Sequence, residues 1–172
     1  FKFMTNNDLL VLKNKEVLVT GGCGFIGSEI VKQLSLIGAN VTIIDNLSSG
    51  KEKYVEGLSN VKLVIGDLLD DHVIESVVKD KEYIINNAAL PFIPDSYYIP
   101  KKFFDVNVNA TISMALSAIK EKKVKRFVHI SSSEIYGTAR YTPMDENHQT
   151  TPQSTYAVSK LAGERVIFTM HK

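Results

Sequence analysis

The sequence is poor in cysteine, carries almost no net charge and contains no long apolar run. Its single cysteine, Cys23, excludes a disulfide framework and a zinc site built from several cysteines, and it fits a reducing compartment. The 20 basic and 19 acidic residues leave a net charge of +1, so no electrostatic attraction to nucleic acid or membranes is expected. The apolar runs are far shorter than the ~20 residues of a membrane span, and residues 1–7 lack a signal-peptide core. We therefore expect a cytoplasmic protein without nucleic-acid or membrane partners.

The chain does contain enough apolar residues to fold as one domain. Of its 172 residues, 44% are hydrophobic, which excludes a disordered chain. Short apolar segments alternate with longer amphipathic ones. The predicted strands cover residues 16–20, 40–45, 61–65, 83–86 and 125–131, and the predicted helices cover residues 24–37, 70–79, 100–122 and 152–170. This order predicts an α/β domain with a doubly wound parallel sheet, in which ligands bind at the carboxyl ends of the strands.

A glycine-rich turn follows the first predicted strand and opens the first predicted helix. Gly22, Gly24 and Gly27 fit the pattern G-x-G-x-x-G, while Gly21, Gly24 and Gly27 fit G-x-x-G-x-x-G. Glycines allow a tight turn and a close approach of the backbone to a pyrophosphate, which the helix N-terminus attracts. Asp45 ends the second strand about 20 residues further on, where a carboxylate binds a ribose diol and repels a 2′-phosphate. The pattern favours NAD over NADP; the alternative is a cluster of turn glycines with a surface aspartate.

A second group of polar residues follows the fifth predicted strand and opens the last predicted helix. Tyr156 and Lys160 are four residues apart, so they share one face of the helix. A lysine ammonium beside a tyrosine stabilises the phenolate, which otherwise forms only near pH ~10. A hydroxyl such as that of Ser132 could bind the same substrate oxygen. The three residues together are typical of hydride transfer from an alcohol, whereas a Tyr-x-x-x-Lys pair alone arises by chance in many helices.

Seven segments spread over nearly the whole chain resemble one known family. They are TGGCGFIG at 20–27, DNLSSG at 45–50, GDL at 66–68, NNAA at 86–89, NVNAT at 107–111, SSSEIYG at 131–137 and YAVSK at 156–160. In this order they are similar to the extended short-chain dehydrogenase/reductase family, in its nucleotide-sugar epimerase and dehydratase branch, which includes UDP-glucose 4-epimerases. The resemblance implies a Rossmann fold, NAD as the cofactor and a nucleotide sugar as the substrate.

The resemblance also implies a role for individual residues in these segments. Ser132 would be the catalytic hydroxyl and Tyr156 the base, and Lys160 would also hold the nicotinamide ribose. Glu134 is a further catalytic candidate. The cofactor would be contacted by Gly21, Gly24, Phe25, Ile26, Gly27, Asp45, Asn46, Ser48, Ser49, Gly50, Asp67, Leu68, Asn87, Ala88, Ala89, Asn107, Tyr156 and Lys160. Within this set Phe25 and Ile26 would lie against the pyrophosphate, and the adenosine would be contacted at its ribose by Asp45 and Asn46 and at its adenine by Asp67 and Leu68.

The resemblance leaves several reactions open. In a 4-epimerase, Tyr156 takes the proton of the sugar 4-hydroxyl while NAD accepts the C4 hydride, and the 4-keto sugar turns over before the hydride returns. The 4,6-dehydratases carry an Asp-Glu pair after the catalytic hydroxyl, where this chain has Ser133 and Glu134. The decarboxylases carry Thr-Ser-Glu, which the Ser-Ser-Glu at 132–134 approaches, and reductases are a further alternative. An epimerase with a UDP-hexose substrate is the first expectation, and a non-catalytic dinucleotide-binding module is the alternative of another class.

The family extends beyond the length of this chain, which ends inside or just after the last predicted helix. In the family, a further strand and a smaller substrate-binding domain follow at this point. We therefore expect residues 1–172 to be the NAD-binding domain without that substrate domain, with residues 1–14 as an N-terminal extension. Such a chain is expected to bind NAD but to turn over substrate poorly. Family members pair helices like 100–122 and 152–170 into a four-helix interface, so we expect a homodimer; packing on the chain's own sheet is the alternative.

Overall fold

The computed structural model describes residues 10–170, which fold around one parallel sheet of five strands. The strands are β1 (Glu16–Thr20), β2 (Asn40–Asp45), β3 (Val61–Ile65), β4 (Tyr83–Asn86) and β5 (Arg126–His129). Their order across the sheet is β3-β2-β1-β4-β5, and every neighbouring pair is parallel. From β1 the chain adds β2 and β3 on one side of the sheet and then crosses to add β4 and β5 on the other side. The strand order therefore reverses between β1 and β4, and such sheets bind ligands at this point. The doubly wound sheet expected from the sequence is confirmed.

The connections between the strands contain helices, several of them short. The α-helices are α1 (Phe25–Leu36), α2 (Asp71–Val78), α3 (Ile93–Ser96), α4 (Pro100–Phe104), α5 (Ala110–Lys120) and α6 (Thr155–Met170). A π-helical turn covers Asp105–Asn109, and 3₁₀ turns cover Leu10–Leu12, Glu52–Tyr54 and Ser133–Tyr136. Within residues 10–170, no helix is long and apolar enough to cross a membrane, and no group of three or more His, Cys, Asp or Glu residues could hold a metal ion.

Alternating side chains of the central strand β1 enter two separate cores, one on each face of the sheet. Val17 and Val19 join Val31 of α1 in the first core, and Leu18 joins Met114 of α5 in the second. All five side chains are fully buried. Because helices cover both faces, the inner strands are continuous apolar runs without the polar alternation of a half-exposed sheet.

The helix expected over residues 100–122 consists of three pieces, because the π-helical turn interrupts it. A π-helical turn accommodates an extra residue, and here the Asn107 side chain points inward. Asn107 is 1% exposed, and its amide binds the backbone of Leu90 and the hydroxyl of Ser159. The backbone of α6 approaches the same turn so closely that a Cβ at Gly163 would lie 2.8 Å from the Asn107 carbonyl oxygen. Apolar periodicity does not reveal such a turn, since its partners are distant in the sequence.

Other element boundaries differ from the expected ones by a few residues. Strand β5 ends earlier than expected, because Ser132 already caps a 3₁₀ turn with its hydroxyl. Helix α6 begins at Thr155, because the Ser154 hydroxyl caps its first turn by accepting from the Ala157 backbone N–H. Residues 1–9 of the expected N-terminal extension lie outside the described part of the chain. The candidate functional residues lie in the segments that follow the strands and near the start of α6.

Candidate active site

The glycine-rich turn between β1 and α1 is tightened by contact between its first and last glycines. Gly21 has a φ of +67°, and a Cβ at Gly27 would lie only 2.1 Å from the Gly21 carbonyl oxygen. Gly22 instead packs against the core, where a Cβ would lie 2.7 Å from Ile43. Gly21 and Gly27 therefore make the closest contact of the turn, and Gly22 also leaves no room for a side chain, so the structure is compatible with both glycine spacings.

The same turn leaves the N-terminus of α1 open to a phosphate group. Gly24 precedes the helix in an extended conformation, no described side chain caps the first turn, and the first turn contains no acidic residue. The first backbone N–H groups therefore present the positive end of the helix dipole without a competing anion. Phe25 is 94% exposed, and Ile26 is exposed beside it. An uncapped helix N-terminus after a close-packed glycine turn fits the pyrophosphate of a dinucleotide.

Asp45 connects the end of β2 to the glycine turn. Its Oδ2 accepts a hydrogen bond from the Cys23 backbone N–H at 2.9 Å, and its Oδ1 accepts from the Leu47 N–H at 2.8 Å. The following loop folds back, since the Lys51 N–H donates to the Cys23 carbonyl and Gly50 lies against Cys23. Each carboxylate oxygen keeps a further lone pair that can accept from a ribose diol. Burial and the Asp45 charge raise the pKa of the Cys23 thiol to about 11, so Cys23 packs as a neutral thiol.

The loops after β2 and β3 meet beside Asp45. The Asn46 Nδ2 donates to the Asp67 Oδ2 at 3.1 Å, and the Ser48 backbone N–H donates to the Asn46 Oδ1 at 3.1 Å. Asn46, Ser48, Ser49 and Asp67 are exposed, and Leu68 is half-buried. The structure thus brings together, at one end of the sheet, the residues that the resemblance assigns to the adenosine of the cofactor.

A buried pair at the ends of β1 and β4 holds the next predicted segment against the glycine turn. The Thr20 hydroxyl donates to the Asn86 Oδ1 at 2.9 Å and accepts from the Asn87 and Ala88 backbone N–H groups at 3.0 and 2.9 Å. The Ala88 Cα is so close to the turn that a Cβ at Gly21 would lie 2.9 Å from it. The half-buried residues of this segment are Asn87, Ala88 and Ala89. Thr20 and Asn86 were not among the predicted site residues, although polar residues at the last positions of two apolar strands were a usable signal.

The polar contacts continue from Asn86 to the helix that carries Tyr156. The Asn86 Nδ2 donates to the Thr111 hydroxyl at 3.1 Å, which donates to the Asn107 carbonyl at 3.0 Å. The Asn107 Nδ2 donates to the Ser159 hydroxyl at 2.9 Å, which donates to the Tyr156 carbonyl at 2.7 Å. The four polar side chains of this network are buried, so it joins the sheet to α6 firmly. The Asn107 amide makes its hydrogen bonds to other protein atoms, so this side chain stabilises the site. Its contact with a cofactor stays a prediction.

Lys160 joins the helix that carries Tyr156 to the segment that carries Ser132. Lys160 is 3% exposed, and its ammonium donates to the carbonyl of Ile130 at the end of β5, two residues before Ser132. Tyr156 lies one turn earlier on α6, half-buried, with its ring edge-on to Phe103 at a centroid distance of 6.4 Å. Ser132 is also half-buried and accessible. Three of the four predicted catalytic residues therefore belong to two segments that the hydrogen bond from Lys160 ties together.

Burial disfavours the charged form of the Lys160 side chain. Burial lowers the pKa of Lys160 to about 8, and the negative charge of Glu164 opposes this shift. At neutral pH the lysine is still protonated, so its charge favours the phenolate form of a neighbouring phenol. Its environment therefore suits a lysine that assists Tyr156 near pH 7.

The 3₁₀ turn after β5 closes the Ser132 segment against the start of α6. The Ser132 hydroxyl accepts from the Glu134 backbone N–H at 3.2 Å. The Thr151 hydroxyl donates to the Tyr136 carbonyl at 2.8 Å, which joins this turn to the approach to α6. The Glu134 side chain is exposed, so its carboxylate is hydrated and accessible to a substrate.

His129 is a half-buried histidine behind these residues, and we expect it to cause a specific loss of stability in acid. Its Nδ1 lies 3.1 Å from the Asn86 Nδ2, which can only donate, so Nδ1 is unprotonated. Burial and then the Lys160 charge lower the pKa of His129 to about 4. The native histidine therefore stays neutral while the unfolded one gains a proton below pH ~6.5, and stability falls as the pH drops from ~6.5 towards ~4.

We expect the free energy of unfolding to fall by about 2 kcal/mol more between pH 7 and pH 5 in the wild type than in His129→Phe. Urea unfolding of both proteins at several pH values measures the difference. Exposed carboxyl groups titrate in both proteins and cancel in the comparison. Parallel curves for the two proteins over this pH range would show that His129 does not titrate on unfolding.

The family described as GDP-mannose 4,6 dehydratase matches residues 18–172. The chain belongs to this family. A UDP-glucose 4-epimerase of Lacticaseibacillus casei is 33% identical over 153 residues, which cover 88% of this chain and 45% of that protein. A putative UDP-glucose 4-epimerase of Methanocaldococcus jannaschii is 37% identical over 153 residues, which cover 88% of this chain and 49% of that protein. The chain thus spans about half the length of these curated relatives.

Solved structures of other family members have the same architecture. The UDP-N-acetylglucosamine 4-epimerase of Methanobrevibacter ruminantium, in complex with UDP-N-acetylmuramic acid, superposes with a TM-score of 0.86 at 36% identity, over 92% of this chain and 51% of that one. The epimerase Mth375 of Methanothermobacter thermautotrophicus superposes with a TM-score of 0.91 at 34% identity, over 96% of this chain and 50% of that one. The UDP-glucose 4-epimerase of Brucella ovis, in complex with NAD, superposes with a TM-score of 0.84 at 29% identity, over 90% of this chain and 47% of that one. The expected Rossmann architecture is confirmed.

Proposed function

We propose that this chain is the NAD-binding part of a nucleotide-sugar 4-epimerase that acts on a UDP-hexose. The observation that carries the proposal is the position of Lys160, buried one turn after Tyr156 and bonded to the carbonyl two residues before Ser132. This arrangement supplies a base, a charge that activates it and a hydroxyl at the carboxyl edge of a dinucleotide-binding sheet. The 4-epimerases among the relatives and solved structures support this reading.

NAD fits the residues present at the edge of the sheet. The uncapped N-terminus of α1 would hold the pyrophosphate, and Asp45 would accept from the adenosine ribose. Asp67 would lie near the adenine, and the backbone of residues 87–89 would line the middle of the cofactor. When bound, NAD supplies the acceptor for the hydride of the sugar C4 and the source from which it returns. The negative charge of Asp45 excludes the 2′-phosphate of NADP.

The chain's own side chains would move one proton during the reaction. The Tyr156 phenolate would take the proton of the sugar 4-hydroxyl, and the Ser132 hydroxyl would donate a hydrogen bond to the same oxygen. The Lys160 ammonium would favour the phenolate over the phenol and would hold the nicotinamide ribose. When hydride returns to the opposite face of the 4-keto sugar, Tyr156 would give the proton back. The sequence of steps consumes neither NAD nor the protein's protons.

A 4,6-dehydratase is the second candidate, and Glu134 favours it. Its carboxylate is exposed beside Ser132, where an acid or base could act on the sugar C5 and C6 positions. A dTDP-glucose 4,6-dehydratase of Streptomyces niveus is 32% identical over 166 residues. The residue before Glu134 is Ser133, however, and a serine cannot serve as a carboxylic acid. We therefore rank epimerisation first.

We also propose that the protein is a cytoplasmic homodimer. Helices α5 and α6 carry large exposed apolar side chains on their outer surfaces: Leu116, Ile119, Val158 and Phe168. Exposed apolar side chains on two neighbouring helices suit an interface with the same helices of a second copy.

Product analysis with a panel of UDP-, dTDP- and GDP-hexoses tests the reaction in the longest natural form of the protein. We expect inversion at C4 of a UDP-hexose, detected by the proton couplings of the product. A 4-keto-6-deoxy sugar would instead show a dehydratase, and released carbon dioxide a decarboxylase. Tight NAD binding without turnover of any sugar would show a non-catalytic module. Residues 1–172 alone are expected to bind NAD and to turn over substrate poorly.

A further inference from the structure

One half-buried contact beside Lys160 has no part in the mechanism above. The Ser131 hydroxyl donates to the Glu164 Oε2 at 2.7 Å, between the segment after β5 and the middle of α6. Glu164 lies one turn after Lys160 on the same helix, as Lys160 lies one turn after Tyr156. Ser131 directly precedes Ser132. Two hydrogen bonds, one from Lys160 to Ile130 and one from Ser131 to Glu164, therefore join adjacent turns of α6 to adjacent residues of one segment.

Glu164 is the carboxylate that opposes the effect of burial on Lys160. Tyr156 on α6 and His129 on β5 also face the lysine, but His129 is neutral because burial lowers its pKa to about 4. Tyr136, in the 3₁₀ turn packed against α6, makes an edge-on contact with the ring of His148. Arg165, the next residue after Glu164 on α6, places its Nε 3.9 Å from the Glu164 Oε1. The other charged side chains on the elements packed against α6 are Asp95, Lys101, Lys102, Asp105, Lys120, Arg126 and Glu134. All are exposed except Asp105, which is half-buried and accepts from the Asn109 amide.

We propose that Glu164 is a positioning residue that keeps Lys160 charged and fixes the Ser132 segment against α6. Its carboxylate accepts from Ser131 one turn after Lys160 on the same face of α6, so one group serves both tasks. The proposal rests on the proposed function in one respect, namely that the Lys160 charge serves Tyr156. The arrangement of Glu164, Ser131 and Lys160 is itself independent of the reaction.

The proposal is tested first without catalysis, by ¹³C NMR titration of lysine-labelled protein, with the Lys160 signal assigned by its loss in Lys160→Arg. Glu164→Gln keeps an oxygen that can accept from Ser131 but removes the charge, so Lys160 should titrate at a lower pH than in the wild type. Ser131→Ala keeps the charge but releases the carboxylate towards water, so Lys160 should titrate between the two. Glu29→Gln, an exposed change on α1, should leave the titration unchanged. An identical Lys160 titration in Glu164→Gln and the wild type would refute the proposal.

The second measurement is the pH profile of kcat/KM in the longest natural form of the protein. If Lys160 must be charged, Glu164→Gln should move the alkaline limb of the profile to lower pH and leave KM for the nucleotide sugar unchanged. A uniform loss of activity at all pH values with a raised KM would indicate a purely structural role and would overturn the proposal. If no form of the protein turns over any nucleotide sugar, the proposed function fails, while the NMR titration still decides the role of Glu164.

Discussion

Replacing Tyr156 by phenylalanine is expected to lower kcat/KM by about 10²–10⁴-fold, because the change removes the only proton-accepting atom of the proposed base. The aromatic ring stays, so its edge-on contact with Phe103 and the fold around it should persist. NAD binding should persist, since the predicted cofactor contacts of the glycine turn and Asp45 lie on other elements. The measurement is steady-state turnover of the nucleotide sugar identified by the product panel, with calorimetry of NAD binding.

The matched control is Tyr83→Phe, which removes a hydroxyl at the opposite, amino-terminal end of the sheet. Tyr83 pairs with Val17 and Arg126 at the start of β4, far from the strand ends that carry the site. Loss of the Tyr83 hydroxyl should leave turnover of the nucleotide sugar near the wild-type value. Equal activity of Tyr156→Phe and Tyr83→Phe would exclude Tyr156 as the base, whatever the affinity for NAD.

Replacing Gly27 by alanine is expected to destabilise the protein by about 1–3 kcal/mol or more and to abolish NAD binding. The added Cβ would lie 2.1 Å from the Gly21 carbonyl oxygen and 2.9 Å from the Gly22 Cα. These are backbone atoms, so the whole turn must move, as in other overpacked sites. The same movement displaces the first N–H groups of α1 from the position where they would face a pyrophosphate. Urea unfolding and calorimetry with NAD measure the two effects separately.

Gly24→Ala serves as the graded control for this clash. Its Cβ would lie 3.3 Å from the same Gly21 carbonyl oxygen, and its backbone has an ordinary extended conformation. We expect a much smaller loss of stability than for Gly27→Ala, since a few tenths of an ångström relieve the contact. If both variants were as stable as the wild type, the close packing of the turn would not hold in solution.

The fold was predictable because each inner strand is buried on both faces. Under that condition a strand becomes a short apolar run, and the helices between the runs keep a 3.6-residue period. The exception is the helix after Pro100, where the π-helical turn has no local signature. Contacts of Asn107 with Leu90 and Ser159 stabilise it, and both partners are distant in the sequence.

The candidate cofactor-binding residues could be selected from the sequence, because they follow directly after strands and rely on glycine and carboxylate chemistry. The residues that support these segments could not be selected from the sequence in this way. Thr20, Asn86 and His129 occupy strand positions that a periodicity analysis assigns to the core, and only their hydrogen bonds show that they connect the glycine turn to α6. Glu164 is one of three charged residues on α6, and its spacing from Lys160 alone did not show that it accepts from Ser131.

The sequence by itself determined the order of strands and helices, the glycine turn and the pair of Tyr156 and Lys160 on one helical face. These features depend on neighbours within a few residues, where spacing and side-chain chemistry act directly. Only the tertiary structure decided which glycines touch, how deeply Lys160 is buried and which carboxylate faces it. Those properties arise where segments separated by many residues pack together. The burial that lowers the pKa of Lys160 is produced by all of these segments at once.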